Sequence, residues 1–519
     1  MVSGDAGAAP PRRRVGWALA ALAGLAALRL AASWETGFGD SEALYATYAL
    51  HPQPAYLDHP GLVGALAGWV GGGTAPSPWA AHAATTALAT LASLLVGVAA
   101  RAAGASSAGA AVAVLGFSLC PEIALGLHAL TPDLPLALAW LTALACAAGA
   151  LRGEPSRFAT TLLTLGAGAA TGLACAAKAS GLLLAAALVV TWLGPTTRAR
   201  LRGPAPWLAL ALGAILAAPV LVWESREGFP MVVHRMVSTQ SRAGVSLRNL
   251  GALLGGQLAY VTPAFLFAAW LALRSLHRER RGGEVARLLW WCAVLPGAGL
   301  AALCLWSRVA EPHWLAPAYL AVAVQFGRRG DVVPRRLARA CGTTGITVAV
   351  VALVVVTTGV VPRVLGASYE PRWDLANDLH AWRDAPGLLT AAAERARRAG
   401  AAEPVVVGPH WIVCAQAAAA LARAPGGERL ARRVGCNGPI RDDFDRWLPR
   451  PAWIVHPTVL YVTDSRFPRD PATELPGRRV VEAARWDVMR GGRVVRTLTV
   501  THLELDEATA RGAAATSAP

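Results

Sequence analysis

Apolar runs alternate with short polar or arginine-bearing connectors from Val15 to Val361; beyond that point only short apolar stretches remain, set among charged residues. A helical run of about 20 apolar residues covers a hydrocarbon core of about 30 Å. The runs fall at 15–33, 80–100, 108–128, 132–150, 158–177, 180–194, 205–223, 250–273, 286–306, 313–327 and 340–362, which predicts eleven transmembrane helices. The first has no convincing small-residue cleavage site and is followed by further spans, so it reads as a retained helix and not as a signal peptide.

Composition strengthens this picture. A soluble chain of 519 residues would suggest three or four domains, but 55% of these residues are hydrophobic and the mean hydropathy is +0.42. The basic residues then set an orientation, because short cytoplasmic connectors collect Lys and Arg. With Arg12 to Arg14 inside, Arg101, Arg152 with Arg157, Arg198 to Arg202, Arg274 to Arg287 and Arg328 to Arg339 all fall on the same side. The opposite connectors, holding Asp40 to Asp58, Asp133, Lys178, Glu224 to Arg248, and Arg308 with Glu311, are mixed or acidic. The expected setting is the cytoplasmic membrane, crossed many times, with the N-terminus inside. An odd number of helices places everything after Val361 outside. The net charge of +16 is then a product of topology. Nucleic-acid binding is not expected, since the arginines are dispersed and no aromatic-basic module occurs.

Four regions follow: a cytoplasmic tail over 1–14, a membrane domain over 15–362, an outward soluble α/β domain over 363–506 and a disordered, alanine-rich tail over 507–519. Within the soluble region, Glu403–Gly408 reads as a strand, Trp411–Ala422 as a helix and Pro451–His456 as a strand. A hairpin is expected at Gly491–Gly492, with strand alternation over 485–505. Neither an internal repeat nor a nucleotide-binding glycine loop is present. Six cysteines lie in or beside apolar runs, where cysteine behaves as a small hydrophobe; Cys414 and Cys436 share the outward compartment, and whether they form a disulfide is open.

Candidate chemistry gathers in the outward connectors. Carboxylates near hydrocarbon lose hydration and are usually paired, metal-bound or chemically employed. Asp40 and Glu42 are the candidate catalytic pair, and Asp58, His59 and Asp133 the candidate acceptor or metal contacts. Against this, Asp40 and Ser41 suit the cap of a helix starting near Glu42, and Thr131-Pro132-Asp133 is also a helix-start signature. Lys178 is the only lysine in the chain and sits where an ammonium would meet a lipid phosphate, although snorkelling would place it there too. His234, Arg235 and His313 complete the candidate phosphate contacts. A divalent cation, if one is used, would be held by Asp40, Glu42 and Asp133. A transporter or flippase would also carry membrane acids, but near mid-membrane and often in repeated halves. A non-catalytic scaffold would explain the soluble region but not the loop acids.

The ordered set DSEALYATYAL, YLDHPGL, TPDLPLAL, AAKASGLLL, PVLVWESREGF and EPHWLAPAYL resembles the bacterial family 39 glycosyltransferases, relatives of protein O-mannosyltransferases and of the lipid A aminoarabinose transferase. The resemblance covers about residues 15–330, and GPHWIVCAQAA with RDDFDRW is similar to the outward domain of many bacterial members. It implies a GT-C membrane fold, a polyprenyl-phosphate sugar donor, a lipid, glycan or protein acceptor, and inversion at the anomeric carbon. By position the family's acidic pair falls on Asp40 and Glu42, its later acidic turn on Asp58-His59-Pro60, and its Thr-Pro-Asp on Asp133. Its span-start lysine falls on Lys178 and its His-Trp pair on His313 with Trp314. One departure stands out: the family commonly has Asp directly before Glu, where this chain has Ser41.

Overall fold

The structure, a computed structural model, describes residues 11–152, 156–308 and 311–506. The expectation of a disordered tail over 507–519 lies outside the described residues, as does most of the N-terminal tail. All eleven apolar runs are helical, but among the described residues seven single helices are long and apolar enough to cross a bilayer: Arg13–Glu35, Pro78–Ala102, Asp133–Leu151, Arg157–Ala177, Ala205–Arg226, Glu284–Trp306 and Arg335–Thr357. The protein is therefore a multi-pass membrane protein, with fewer full-length spans than the runs suggest.

Proline accounts for two of the shortfalls. The run over 108–128 divides into Ser107–Ser118 and Pro121–Gly126, because Pro121 cannot donate to the preceding turn. The run over 250–273 divides into Leu247–Tyr260 and Pro263–Glu279, which meet at 98°; Thr262 between them takes a left-handed φ of 75°. The runs over 180–194 and 313–327 yield the short helices Gly181–Trp192 and Ala316–Arg328. Helices 157–177 and 205–226 pack with their backbones almost touching: a Cβ on Gly172 would lie 2.3 Å from the Gly213 carbonyl oxygen. Only glycine permits that approach.

The soluble region carries one five-stranded sheet. Its strands are β1 (Val405–Gly408), β2 (Val434–Cys436), β3 (Thr458–Asp464), β4 (Arg478–Arg490) and β5 (Arg493–Leu505), in the order β2-β1-β3-β5-β4. The first three run parallel, and β5 and β4 form the antiparallel hairpin turned by Gly491 and Gly492, both at positive φ. The strand at 403–408 and the helix at 411–422 appear as expected. The segment Pro451–His456 does not form a strand: Arg450–Ile454 is helical and β3 begins at Thr458. Pro451 suits a first helical turn, and Pro457 delays the ladder until the next residue. Cys414 and Cys436 are buried as free thiols.

The connector between the first two spans packs into this soluble region and not merely beside it. Phe38, Ala43, Leu44, Tyr48 and Tyr56 share one hydrophobic core with Val406, Cys414, Ala418 and Leu460. Helix Trp411–Arg423 lies on helix Asp40–Thr47, and Gln416 donates to the Phe38 carbonyl at 3.0 Å. Asp443 accepts from the Leu57 amide at 3.1 and 3.2 Å and from the Tyr48 hydroxyl at 3.4 Å. Trp447 stacks on His51 with ring centroids 4.2 Å apart.

Burial, with nearby Asp58 adding to it, pushes the Asp443 carboxyl up to about 7. A carboxyl whose pKa is raised on folding binds more protons folded than unfolded between about pH 4 and that value, so stability falls as pH rises through this window. Asp443→Asn should flatten the decline by this group's share, read as apparent melting temperature against pH from 4 to 7.

Candidate active site

The acids predicted to form one centre separate into three groups, each with its own cations or donors. Asp40 opens helix Asp40–Thr47 and meets Arg466 of the soluble region in a two-pronged pair, Nη1 to Oδ2 at 2.7 Å and Nη2 to Oδ1 at 3.2 Å. The same guanidinium holds Asp378 at 3.0 Å and Asp464 at 2.9 Å. Asp40 is therefore engaged in docking the two regions.

Glu42, two residues on, turns elsewhere. Its Oε2 accepts from the Gly39 amide at 2.9 Å, and its Oε1 accepts from the Leu130 amide at 2.8 Å and meets His82 Nε2 at 2.9 Å. Burial pushes this carboxyl up, but His82 and the two backbone donors outweigh it and hold it below its ordinary value. Glu42 thus ties the first connector to the loop that leads into Asp133.

The third group contains the remaining predicted residues. The turn bearing Asp58 and His59 is closed by Tyr56, whose amide donates to the His59 carbonyl at 2.9 Å, and by a bridge between Ala55 and Pro60. The Tyr56 hydroxyl bonds to the Tyr48 carbonyl at 3.0 Å and accepts from the Gln53 amide at 3.1 Å, and its ring stacks on Tyr48 with centroids 3.6 Å apart. A side chain at Gly61 would strike the Gln53 carbonyl, so the turn has little room to move. It presents Asp58 to Arg235 at 3.1 Å and to His234 at 3.6 Å. Both come from helix Pro230–Met236, whose first amides are capped by the Glu224 carboxylate at 3.0 and 3.3 Å.

Asp133 starts helix Asp133–Leu151, but its side chain does not cap it. Both oxygens instead take Lys178 Nζ, at 2.8 and 2.9 Å, from the end of helix Arg157–Ala177. His59 and His313 lie close enough for their charge states to act on Asp133. Glu311 accepts from Trp314 Nε1 at 2.9 Å and faces His313 at 3.4 Å, while the Arg235 guanidinium lies 5.9 Å above the Trp314 ring. Tyr45, one turn beyond Glu42, stands edge-on to His59 at 5.6 Å.

The electrostatic result is an acid and a neutral base side by side. Burial raises Asp58, but His234 and Arg235 overcome it and leave the carboxyl at about 2. Burial, then Lys178 and Arg235, depress His59 to about 3, so its imidazole is uncharged at neutral pH.

Thus Asp58, His59, Asp133, Lys178, His234, Arg235 and His313 come together, while Asp40 and Glu42 do not join them. Nor do Asp40, Glu42 and Asp133 make a shared ligand set: among the described residues no group of three or more His, Cys, Asp or Glu side chains is placed to hold a metal ion. Tyr45 and Glu311 stand beside this cluster and were not among the candidate site residues. Arg466 and Asp443, which hold its first connector in place, carry no motif that would have found Arg466, and only an acidic run that marked Asp443.

An apolar groove of about 280 Å³ is lined in part by sequence neighbours of this cluster. Pro60, next to His59, Ala179, next to Lys178, and Met231 are among its walls, with Leu182, Ala185, Gly213 and Ala217 from helices 181–192 and 205–226. Its lining is almost wholly apolar, which suits a hydrocarbon chain.

A polytopic helical domain with a small mixed sheet docked on its first connector is a fold of the GT-C type. Residues 74–223 match the family model described as dolichyl-phosphate-mannose-protein mannosyltransferase. The fold is similar to that of ArnT from Cupriavidus metallidurans in the apo state, with a TM-score of 0.59, and bound to undecaprenyl phosphate, with a TM-score of 0.56. In both comparisons identity is 17%, and 94% of this chain and 98% of the other are covered. No curated protein sequence matches this one. The family 39 resemblance drawn from the ordered motifs is borne out by these two findings: the chain has this fold and is similar to that family over the matched residues.

Removing Lys178 alone would leave Asp133 charged and unpaired. Lys178→Met is expected to cost about 3–5 kcal/mol, whereas the double variant Lys178→Met/Asp133→Leu should recover most of it, because a buried pair replaced as a whole is often near neutral. Thermal unfolding of the three proteins in detergent gives the comparison.

Proposed function

We propose that this protein is a membrane glycosyltransferase that moves a sugar from a polyprenyl-phosphate donor to an acceptor at the outer face of the cytoplasmic membrane, with inversion at the anomeric carbon. The observation that supports it best is that Pro60, which follows the Asp58–His59 turn, and Ala179, which follows Lys178, both line the apolar groove beside the Asp58–Arg235 and Asp133–Lys178 pairs. The isoprenoid chain lies between the helices, and its phosphate reaches Lys178 and Arg235. That the ArnT structure of the same fold is bound to undecaprenyl phosphate supports the donor class. The basic connectors on the opposite side favour an inward N-terminus, which puts this cluster outside.

The residues divide the work as follows. Lys178 and Arg235 offset charge growing on the phosphate as the bond from the anomeric carbon to the phosphate oxygen breaks and its electrons pass to that oxygen. The acceptor oxygen or nitrogen attacks from the opposite face and gives its proton to Asp58. Asp40 is not available for that step, being held by Arg466. In the resting site Asp58 is a weak base because Arg235 and His234 bear on it. When the donor phosphate takes up part of the positive charge, that restraint relaxes and the carboxylate becomes more basic. Binding the donor therefore readies the base, and the rigid Asp58–His59 turn fixes where it acts.

Purified protein incubated with labelled polyprenyl-phosphate sugars and a membrane extract should yield a labelled product. Asp58→Asn is expected to lower kcat by about 100-fold or more, and absence of any product with the wild type across the panel would refute transfer. Ala185→Trp, which narrows the groove away from the charged cluster, should raise KM for the donor while leaving kcat within about twofold, the pattern expected when ground-state and transition-state binding are weakened together. An unchanged KM would remove the donor from the groove.

A further inference from the structure

A second lateral cavity, of about 230 Å³, shares no lining residue with the first. Leu25, Leu28 and Ala32 of the first span face Ala349, Ala352 and Val356 of the last one across it. Both helices bury little of their apolar surface within the protein, 22% and 11% of their most apolar windows, so the cavity lies between two lipid-facing spans. Its polar lining is made by Arg29, Thr36, Glu42, His82 and His128.

Arg29 is the informative residue. It is 6% exposed, and its Nε and Nη2 donate to the carbonyls of Ile123 and Ala124 at 2.8 to 3.0 Å. These bonds fix the plane of the guanidinium. No carboxylate pairs with it among the described residues, and its Nη1 has no hydrogen-bond partner there. Glu42, the acid lining the cavity, is already spent on His82 and two backbone amides. His82 and His128 lie with ring centroids 4.6 Å apart, and the Nδ1 atom of each is buried with no hydrogen-bond partner. A cation within a membrane span is ordinarily paired, and basic pockets between spans bind lipid head groups. Here no carboxylate among the described residues supplies the pairing anion, while apolar side chains of the first and last spans wall the cavity.

We infer that this cavity is a second lipid site, in which the phosphate of an anionic membrane lipid meets Arg29, with the two imidazoles within reach, and an acyl or isoprenoid chain lies between the first and last spans. The inference goes beyond the transfer reading and does not depend on it, because occupancy is measured without any sugar. A guanidinium suits phosphate through its paired N–H groups, whereas a neutral head would leave the charge uncompensated.

Native mass spectrometry of the full chain in detergent, titrated with dioleoylphosphatidic acid, counts bound lipid. Wild type should hold one molecule more than Ala352→Trp, which fills the cavity and leaves Arg29 intact, and Arg29→Gln should bind that molecule at least fivefold more weakly. Dioleoylglycerol, which lacks the phosphate, should add no molecule at this site. Equal occupancy in wild type and Ala352→Trp, or equal retention of dioleoylglycerol, overturns the inference. Displacement of the extra molecule by inorganic phosphate at equal concentration would make the site one for a free anion and overturn the lipid assignment. Where Arg29→Gln fails to fold, the Ala352→Trp comparison decides.

Discussion

A charge withdrawn from water near a bilayer must find a partner, and that single requirement organises this molecule. Six carboxylates of the site and its supports are each met by a named cation or backbone donor: Asp40, Asp378 and Asp464 by Arg466, Asp58 by Arg235, Asp133 by Lys178, and Glu42 by His82 with two amides. Apart from Asp464, which is two residues from Arg466, these pairings join segments far apart in the chain. Asp133 and Lys178 tie the start of one span to the end of the next, and Arg466 draws the soluble region onto the first connector. The same restraints that make the charges tolerable therefore also build the fold around the site.

The soluble region is part of the architecture of the candidate site for this reason. Gln416, Asp443 and Trp447 grip the connector from its Phe38 end to Leu57, one residue short of the proposed base. The internal bonds of Tyr56 then transmit that fixed position to Asp58 and His59. The transfer proposed above would benefit from such rigidity, since reacting groups misplaced by about 1 Å lose much of the advantage of proximity. The charged groups remain in balance because the pairs at Asp58 and Asp133 are neutral overall, and a donor phosphate can enter by sharing their cations instead of displacing a buried acid.

Lateral access is the other theme. Both cavities lie between helices whose apolar surfaces are poorly covered by protein; Arg29 lines one, and Ala179, next to Lys178, lines the other. Small residues make the first possible: Gly168, Gly172 and Gly213 bring two backbones together and leave a furrow beside them. A chain-like ligand can slide from the bilayer into such a furrow without crossing water, so its hydrophobic part is never exposed.

The sequence alone determined that the chain is a helical membrane protein with a small α/β region, because hydrophobic period and length are local properties that need no knowledge of neighbours. It also marked most of the site: Asp58, His59, Asp133, Lys178, His234, Arg235 and His313 were legible as charged residues in connectors assigned to one side. What only the tertiary structure decided was partnership. Asp40 and Glu42 stand two residues apart and looked like one acidic pair, yet one meets an arginine more than four hundred residues away and the other a histidine and the Leu130 amide. Helix breaks such as the 98° turn at Thr262 and the delayed start of β3 at Thr458 also escaped the pattern, since a proline states where a helix cannot continue but not which way the chain then turns. Hydropathy is written residue by residue; the pairing of charges depends on distances that exist only once the chain has folded.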